Sequence, residues 1–277
     1  MKVIASRPGS LLRALCCAWY FRMTDPGIID PLQSNSMEHL PSFKLLYESG
    51  PVYVVLKPAG LLTQAPPGID SMELRVRSWI KQREQKTGNI YLGVPHRIDR
   101  PVSGVLVFAR HVRAARRISE QFEDRLVRKT YWACVAGNVE PAEGTWEDHL
   151  LKVQGEPRAT VVDAGHPDAR LARLHYRTLG RTPWGSWLEI ELETGRTHQI
   201  RVQAASRGFP VLGDSMYASQ QPFGVQHEDE RLRAIALHGR TIEFQHPMTR
   251  EPVRVVAPLA ASWRALELPL EAEAYEP

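Results

Sequence analysis

HRIDRPVSG, residues 96–104, runs straight into GVLVFAR, residues 104–110. The second stretch is short, apolar and β-branched, the composition of a buried strand. The first is polar, and several of its residues have special needs. Pro101 stiffens a turn, Ser103 suits a hydrogen bond to local backbone, and Gly104 permits a tight entry into the strand. Asp99 lies between Arg97 and Arg100, with His96 close by. A lone aspartate in a loop is ordinarily a turn cap. Two arginines and a histidine around the carboxylate instead favour its charged form, which a nucleophile or general base requires.

Outward from this stretch, strand and helix signals mix without regular βαβ alternation. PVYVVLKP (51–58) is a strand closed by proline, and KTYWACVAG (129–137) is another. SWLEIELETG (186–195) alternates apolar and acidic residues, as in a strand with one wet face. Residues 72–86 place Leu74, Val76, Trp79 and Ile80 at helical spacing, and residues 111–127 place Val112, Ala115, Ile118, Phe122 and Leu126 on one helix face. RTHQIRVQAASRG (196–208) reads as a helix with Gly208 at its C-terminal end. IALHGRTIEFQHP (235–247) and PVRVVAP (252–258) form a closing hairpin. There is no internal repeat. The expected class is α+β, a mixed, largely antiparallel sheet flanked by helices.

The chain has 277 residues, 43% hydrophobic and 24% charged, enough for one large or two small folded domains. Its net charge of +4 permits a polyanionic partner without proving one. Cys16, Cys17 and Cys134 supply neither a disulfide framework nor a zinc site, which points to free thiols in a reducing cytoplasm. No apolar run reaches membrane-span length. Residues 1–22 carry Lys2, Arg7, Arg13 and Arg22 and no acid. They fit an organellar transit peptide better than a secretory signal, and better still a start assigned too early, with Met23 or Met37 as the true first residue. The expected division is an extension and linker over 1–43, a catalytic domain over 44–265 and an acidic tail over 266–277, whose last residues EAEAYEP (271–277) fray.

Two further segments carry chemistry. TGRTHQIR (194–201) sets Arg196 and Arg201 at a helix start, where the dipole disfavours cations. A partner anion resolves that conflict, either Asp99 or a phosphate. In residues 129–137, Tyr131 and Trp132 point to opposite faces of a strand. Each reads first as a core aromatic, and a tyrosine there is also able to stack on an extruded base.

Together these motifs resemble the RluA-type pseudouridine synthase family. HRIDRPVSG is similar to its HRLDxxTSG signature and KTYWACVAG to its K-x-Y strand. TGRTHQIRVQ followed by GFPVLGDSMY (208–217) is similar to its GRTHQIRxH…GHPxxGDxxY segment. VVLKPAGLLTQ resembles its NKPxG opening, and IALHGRTIEFQHPMT its LHA-type strand. All five occur in the family's order over about residues 44–265. The departures are Leu56, Ile98, Val102, Gln203 and Gly239. Val102 lacks the hydroxyl of the family's threonine, which leaves the pinning of the loop to other groups.

The resemblance implies an RNA pseudouridine synthase fold and activity with no cofactor or metal. Asp99 would be the nucleophile, Tyr131 the residue against the base, and Arg196 the cationic partner of Asp99, with Arg201 the alternative. Loss of Arg196 would then cost activity and stability together. His96, Arg97, Arg201 and His198 would contact substrate, Arg97 by entering the space the flipped base leaves. Arg113 and Arg117, with Arg110 and Arg116 on the same helix, would track phosphates. The expected partner is structured RNA, tRNA or rRNA, met by a monomer in the cytoplasm. Rival readings are a catalytically silent RNA-binding protein of the same fold, a zinc deaminase lacking its H-x-E and C-x-x-C ligands, and a glycosidase needing a second acid such as Asp163, Asp168 or Asp214. No phosphate-binding or dinucleotide-binding glycine motif is present.

Overall fold

The computed structural model describes residues 43–271, 274 and 275; the expected extension lies outside them except for Phe43. Ten strands form one sheet: β1 (Lys44–Ser49), β2 (Val52–Lys57), β3 (Ser103–Ala109), β4 (Arg128–Ala136), β5 (Glu143–Lys152), β6 (Ala159–Val162), β7 (Arg170–Thr182), β8 (Gly185–Leu192), β9 (Leu237–Gln245) and β10 (Pro252–Val256). Their order is β1-β2-β3-β9-β4-β8-β7-β5-β6, with β10 paired to β9. Every pairing is antiparallel except β3–β9, which joins only Ser103 to His238 and Gly104 to Gly239. The helices are α1 (Met72–Arg83), α2 (Val112–Glu123) and α3 (Gln199–Ser206). This is the α+β class expected. No helix among the described residues is long and apolar enough to cross a membrane.

The unbroken apolar runs of β2 and β3 have a simple cause: both faces are covered. Val52, Val54, Val105 and Val107 pack with Ala114, Ala115 and Ile118 of α2 on one side. Tyr53, Val55, Leu106 and Phe108 pack with Met72, Val76 and Ile80 of α1 on the other. A third core joins β4, β8 and β7 to Ile200 and Ala204 of α3 and to Trp263.

The expected buried face of α2 needs correction. Ala114, Ala115, Ile118 and Gln121 face inward, whereas Val112 is 65% and Leu126 60% exposed. Gln121 explains the rotation. Its amide donates to the Gln245 carbonyl at 2.9 Å and accepts from the Gln245 N–H at 2.8 Å, closing the end of β9. A polar residue with a backbone partner displaces an apolar one from the stripe. Leu126 falls beyond the helix, which ends at Glu123.

Of the EAEAYEP stretch expected to fray, the described Tyr275 instead packs on the third core, and the Leu259 N–H donates to the Ala274 carbonyl at 2.8 Å; ahead of it Leu266 and Leu268 are buried.

Candidate active site

The loop that carries Asp99 is held by the segment following β2. Thr63 Oγ1 donates to the Ile98 carbonyl at 2.9 Å and accepts from the Ile98 N–H at 3.2 Å. The Gly60 N–H donates to the Arg100 carbonyl at 2.8 Å, and Arg100 Nε returns a bond to the Gly60 carbonyl at 2.9 Å. Lys57, fully buried at the end of β2, donates to the carbonyls of Pro58, Leu61 and Arg100. Burial pulls its pKa down to about 7, against the raising effect of Asp99. Val102 needs no hydroxyl here; it is buried in the third core, and Thr63 does the pinning.

Gly104 is where loop becomes strand. Its φ is +136°, and a Cβ would stand 2.5 Å from the Gly239 carbonyl oxygen, so the short β3–β9 pairing requires glycine. Ser103 does not bond local backbone as expected. Its Oγ lies 2.8 Å from His238 Nδ1. His238 Nε2 lies 3.3 Å from the Ala257 carbonyl, which can only accept, so the proton sits on Nε2 and Nδ1 accepts from Ser103. Burial holds this imidazole neutral, with a pKa of about 3.

Asp99 is partly open, its side chain 32% exposed. Two side chains of the 194–201 segment face its Oδ2: Arg201 Nη1 at 3.4 Å and His198 Nε2 at 3.7 Å. Arg201 is buried and bound more tightly behind, by Nε and Nη2 to the two oxygens of buried Asp214 at 2.6 and 2.8 Å. Burial works to lower the Arg201 pKa, but the hydrogen bonds and charge of Asp214 and the charge of Asp99 outweigh it, so the guanidinium is charged. Its plane lies over the Tyr217 ring, 5.1 Å from the centroid.

His198 is a left-handed residue, φ +53°, capping α3. Such a conformation in a non-glycine residue is costly and concentrates at functional sites. Here it sets the imidazole between Asp99 and Tyr217, with Nδ1 3.0 Å from Tyr217 Oη. Burial lowers the His198 pKa. The Tyr217 hydroxyl accepts from the Ala159 N–H at 2.9 Å and donates to the Ala159 carbonyl at 3.2 Å, which fixes it beside the imidazole. Tyr131, on β4, is buried and lies within electrostatic reach of Asp99. Burial, then the charge of Asp99, pushes its phenol well above the usual range, so it is a neutral hydroxyl at physiological pH.

The structure thus gathers Asp99, Arg201, His198 and Tyr131. Arg196 is not among them. It lies in the turn before α3, where its Nε donates to the Leu171 carbonyl at 2.9 Å, and the expected pairing with Asp99 passes to Arg201. His96 also turns away. Its ring stacks on Phe122 at 4.9 Å, and its Nε2 accepts from the Val107 N–H at 3.0 Å. Burial, aided by Lys129, brings its pKa to about 3. Arg97 is exposed, while Arg100 is committed to Gly60. Arg117 donates to the Pro247 carbonyl, two residues past the end of β9, whereas the loop bearing Asp99 enters the sheet beside Gly239, near the other end of that strand. Arg113, Arg116 and Arg250 are its electrostatic neighbours. Arg110 is paired with Glu84 and Arg116 with Glu120.

Lys57, Thr63, Asp214 and Tyr217 went unrecognised as parts of the site. Lys57 did carry a signal, a charge ending an otherwise apolar buried run. Asp214, weighed only as a second acid for glycoside cleavage, is the counter-ion of Arg201. Gly213, φ +84°, places it, since a Cβ there would meet the Ala234 carbonyl oxygen at 2.8 Å.

Residues 51–206 match the family described as RNA pseudouridylate synthase. A ribosomal large subunit pseudouridine synthase D from Xanthomonas campestris is 36% identical over 222 residues, covering 78% of this chain and 65% of the relative. An uncharacterized RNA pseudouridine synthase from Zymomonas mobilis is 32% identical over 225 residues, 80% of this chain and 96% of the relative. Another from Bacillus subtilis is 30% identical, over 87% and 78%. The chain therefore spans less than two thirds of the Xanthomonas relative and most of the other two. Human RNA pseudouridylate synthase domain containing 4 shares the fold, with a TM-score of 0.68 at 22% identity over 82% of this chain and 94% of that one.

Proposed function

The chain belongs to the RNA pseudouridylate synthase family, and from that premise we propose that it isomerises uridine to pseudouridine in structured RNA with Asp99 as the nucleophile. The supporting observation is the convergence on one carboxylate: Arg201, 102 residues away in sequence, reaches Asp99 Oδ2 at 3.4 Å. The contacts from Arg201 and His198 fall on Oδ2, which leaves Oδ1 to meet substrate. In this reading Oδ1 attacks the nucleotide at the anomeric carbon or the uracil ring. The glycosidic C–N bond breaks, the uracil turns and rejoins through carbon, the bond to Oδ1 breaks to restore the free carboxylate, that carbon loses its proton and the ring nitrogen gains one. No oxidant or energy source is needed. Arg201, held charged by Asp214, keeps the carboxylate in place. The neutral Tyr131 hydroxyl packs against the base and donates rather than serving as a phenolate base. Exposed Arg97 fills the stack the uridine leaves, offsetting the few kcal/mol that flipping costs.

Large-subunit rRNA is the first substrate to test, because that is what the Xanthomonas relative's name specifies; tRNA is the second. The enzyme is taken to act as a cytoplasmic monomer. The test is incubation with rRNA and tRNA lacking pseudouridine, mapping new sites by adduct formation and reverse-transcription stops, with Asp99→Ala as control. New sites with wild type alone support the proposal. Sites made equally by Asp99→Ala refute Asp99 as nucleophile, and tight binding without isomerisation identifies a silent RNA-binding protein instead.

A further inference from the structure

We propose that a cavity between β5, β6 and the turn before α3 docks the RNA strand beside the target uridine, binding the phosphodiester of a neighbouring nucleotide. The proposal rests on the reading of the protein as an RNA pseudouridine synthase. The cavity encloses about 480 Å³, within the ~300–1,000 Å³ range of small-molecule sites. Leu150, Leu151 and Ala159 supply apolar surface, and Lys152, Arg170 and Arg196 contribute cations against one carboxylate, Asp168.

These three cations differ from their neighbours. Arg158 just before β6, Arg173 and Arg177 on β7 and Arg207 at α3's end are each ion-paired to a carboxylate. Among the described residues, Lys152, Arg170 and Arg196 have no carboxylate within 4.0 Å. Arg196 Nε is anchored on the Leu171 carbonyl, which holds the guanidinium at the wall with its Nη groups uncommitted. Planar donors fixed in this way match phosphate oxygens. The apolar surface beneath suits a ribose or base.

Position identifies which nucleotide is bound. Arg196 and Thr197 line the cavity and are followed directly by His198, which faces Asp99 at 3.7 Å. From the other side, Ala159 lines the cavity while its N–H and carbonyl both meet Tyr217 Oη, at 2.9 and 3.2 Å. Tyr217 in turn meets His198 at 3.0 Å. The side chains of Tyr217 and His198 therefore link the cavity wall to the reacting carboxylate. A strand whose uridine is turned toward Asp99 carries its adjoining phosphate to this place. Arg196, expected at Asp99 from sequence, thereby acquires a role in holding substrate.

The experiment compares wild type, the triple variant Lys152→Ala/Arg170→Ala/Arg196→Ala and the surface control Arg83→Ala. Steady-state pseudouridine formation is measured on the substrate RNA, and RNA binding is measured by fluorescence anisotropy over a series of salt concentrations. Thermal melts verify that each variant is folded. The triple variant is expected to raise KM roughly tenfold or more with kcat within about twofold, and to flatten the salt slope by roughly one per cation. The control should do neither. An unchanged KM and salt slope overturns the proposal, as does a fall in kcat with KM kept, which would return Arg196 to the chemistry. If wild type forms no pseudouridine, the proposed function fails, and the salt slope alone then decides whether the cavity binds RNA.

Discussion

Asp214→Ala should destabilise the protein far more than Asp99→Ala, although both carboxylates touch the same arginine. Arg201 and Asp214 are 3% and 1% exposed and share two hydrogen bonds, of 2.6 and 2.8 Å. Removing one member of such a pair leaves a buried charge poorly compensated, at a cost of ~3–5 kcal/mol. For a domain of this size 1 kcal/mol moves Tm by ~2–4 °C, so the expected loss is ~6–20 °C. Asp99 is 32% exposed and meets Arg201 through one long contact of 3.4 Å. Solvent screening limits that pair to ~0–1 kcal/mol, or less than ~4 °C. Activity should separate from stability: Asp99→Ala is inactive and stable, whereas Asp214→Ala is weakened in both because Arg201 loses its anchor. The assay is a calorimetric melt of each variant beside pseudouridine formation at 20 °C below its own Tm. Equal Tm shifts for the two variants, or an Asp214→Ala shift below ~2 °C, would refute the assignment of Asp214 as the structural counter-ion.

Two other expectations follow from the same neighbourhood. Gly104→Ala must place a Cβ 2.5 Å from the Gly239 carbonyl oxygen at a φ of +136°, which should cost about 3 kcal/mol or more; Gly239→Ala meets Tyr131 Cε1 at 3.5 Å, the Val105 nitrogen at 3.6 Å and Gly104 Cα at 3.7 Å, all ordinary contacts, and should change stability by less than about 1 kcal/mol, both read from urea midpoints. Lys57 releases its proton near pH 7 in the folded chain but near 10.4 when unfolded, so the unfolded state binds more protons between those values and stability rises with pH. Wild type should gain up to about 1.4 kcal/mol per pH unit relative to Lys57→Met from pH ~7 to ~9, the burial-raised Cys134 thiol being common to both proteins and cancelling in the difference; parallel urea profiles for the two proteins would contradict the titration of Lys57.

Much of the fold was legible because its signals are local. The runs of β2 and β3, the spacing in α1 and the hairpin of β9 and β10 each declare themselves within a dozen residues. β5, β6 and β7 were missed. Their charged residues pair across the sheet, as Arg173 does with Glu147 and Arg177 with Glu189, and in one sequence a ladder of this kind resembles a polar connection. α2's buried face was misread because Gln121 is buried for a partner, Gln245, that lies 124 residues on.

In the site the division is sharper. The sequence alone determined the family and its candidate groups: a carboxylate in a constrained loop, an arginine-bearing segment, a tyrosine on a strand, all in the order of one family. It also determined that Gly104 must admit a close approach. Only the tertiary structure decided which arginine meets Asp99. Arg196 and Arg201 are five residues apart in one motif, and spacing does not rank them. α3 begins only at Gln199, after His198 has taken a left-handed turn. That leaves Arg196 outside on the Leu171 carbonyl and puts Arg201 inside the first turn, facing Asp214 and Asp99. The selection depends on a backbone angle and a distant counter-ion, and neither is encoded by the spacing of the residues it separates.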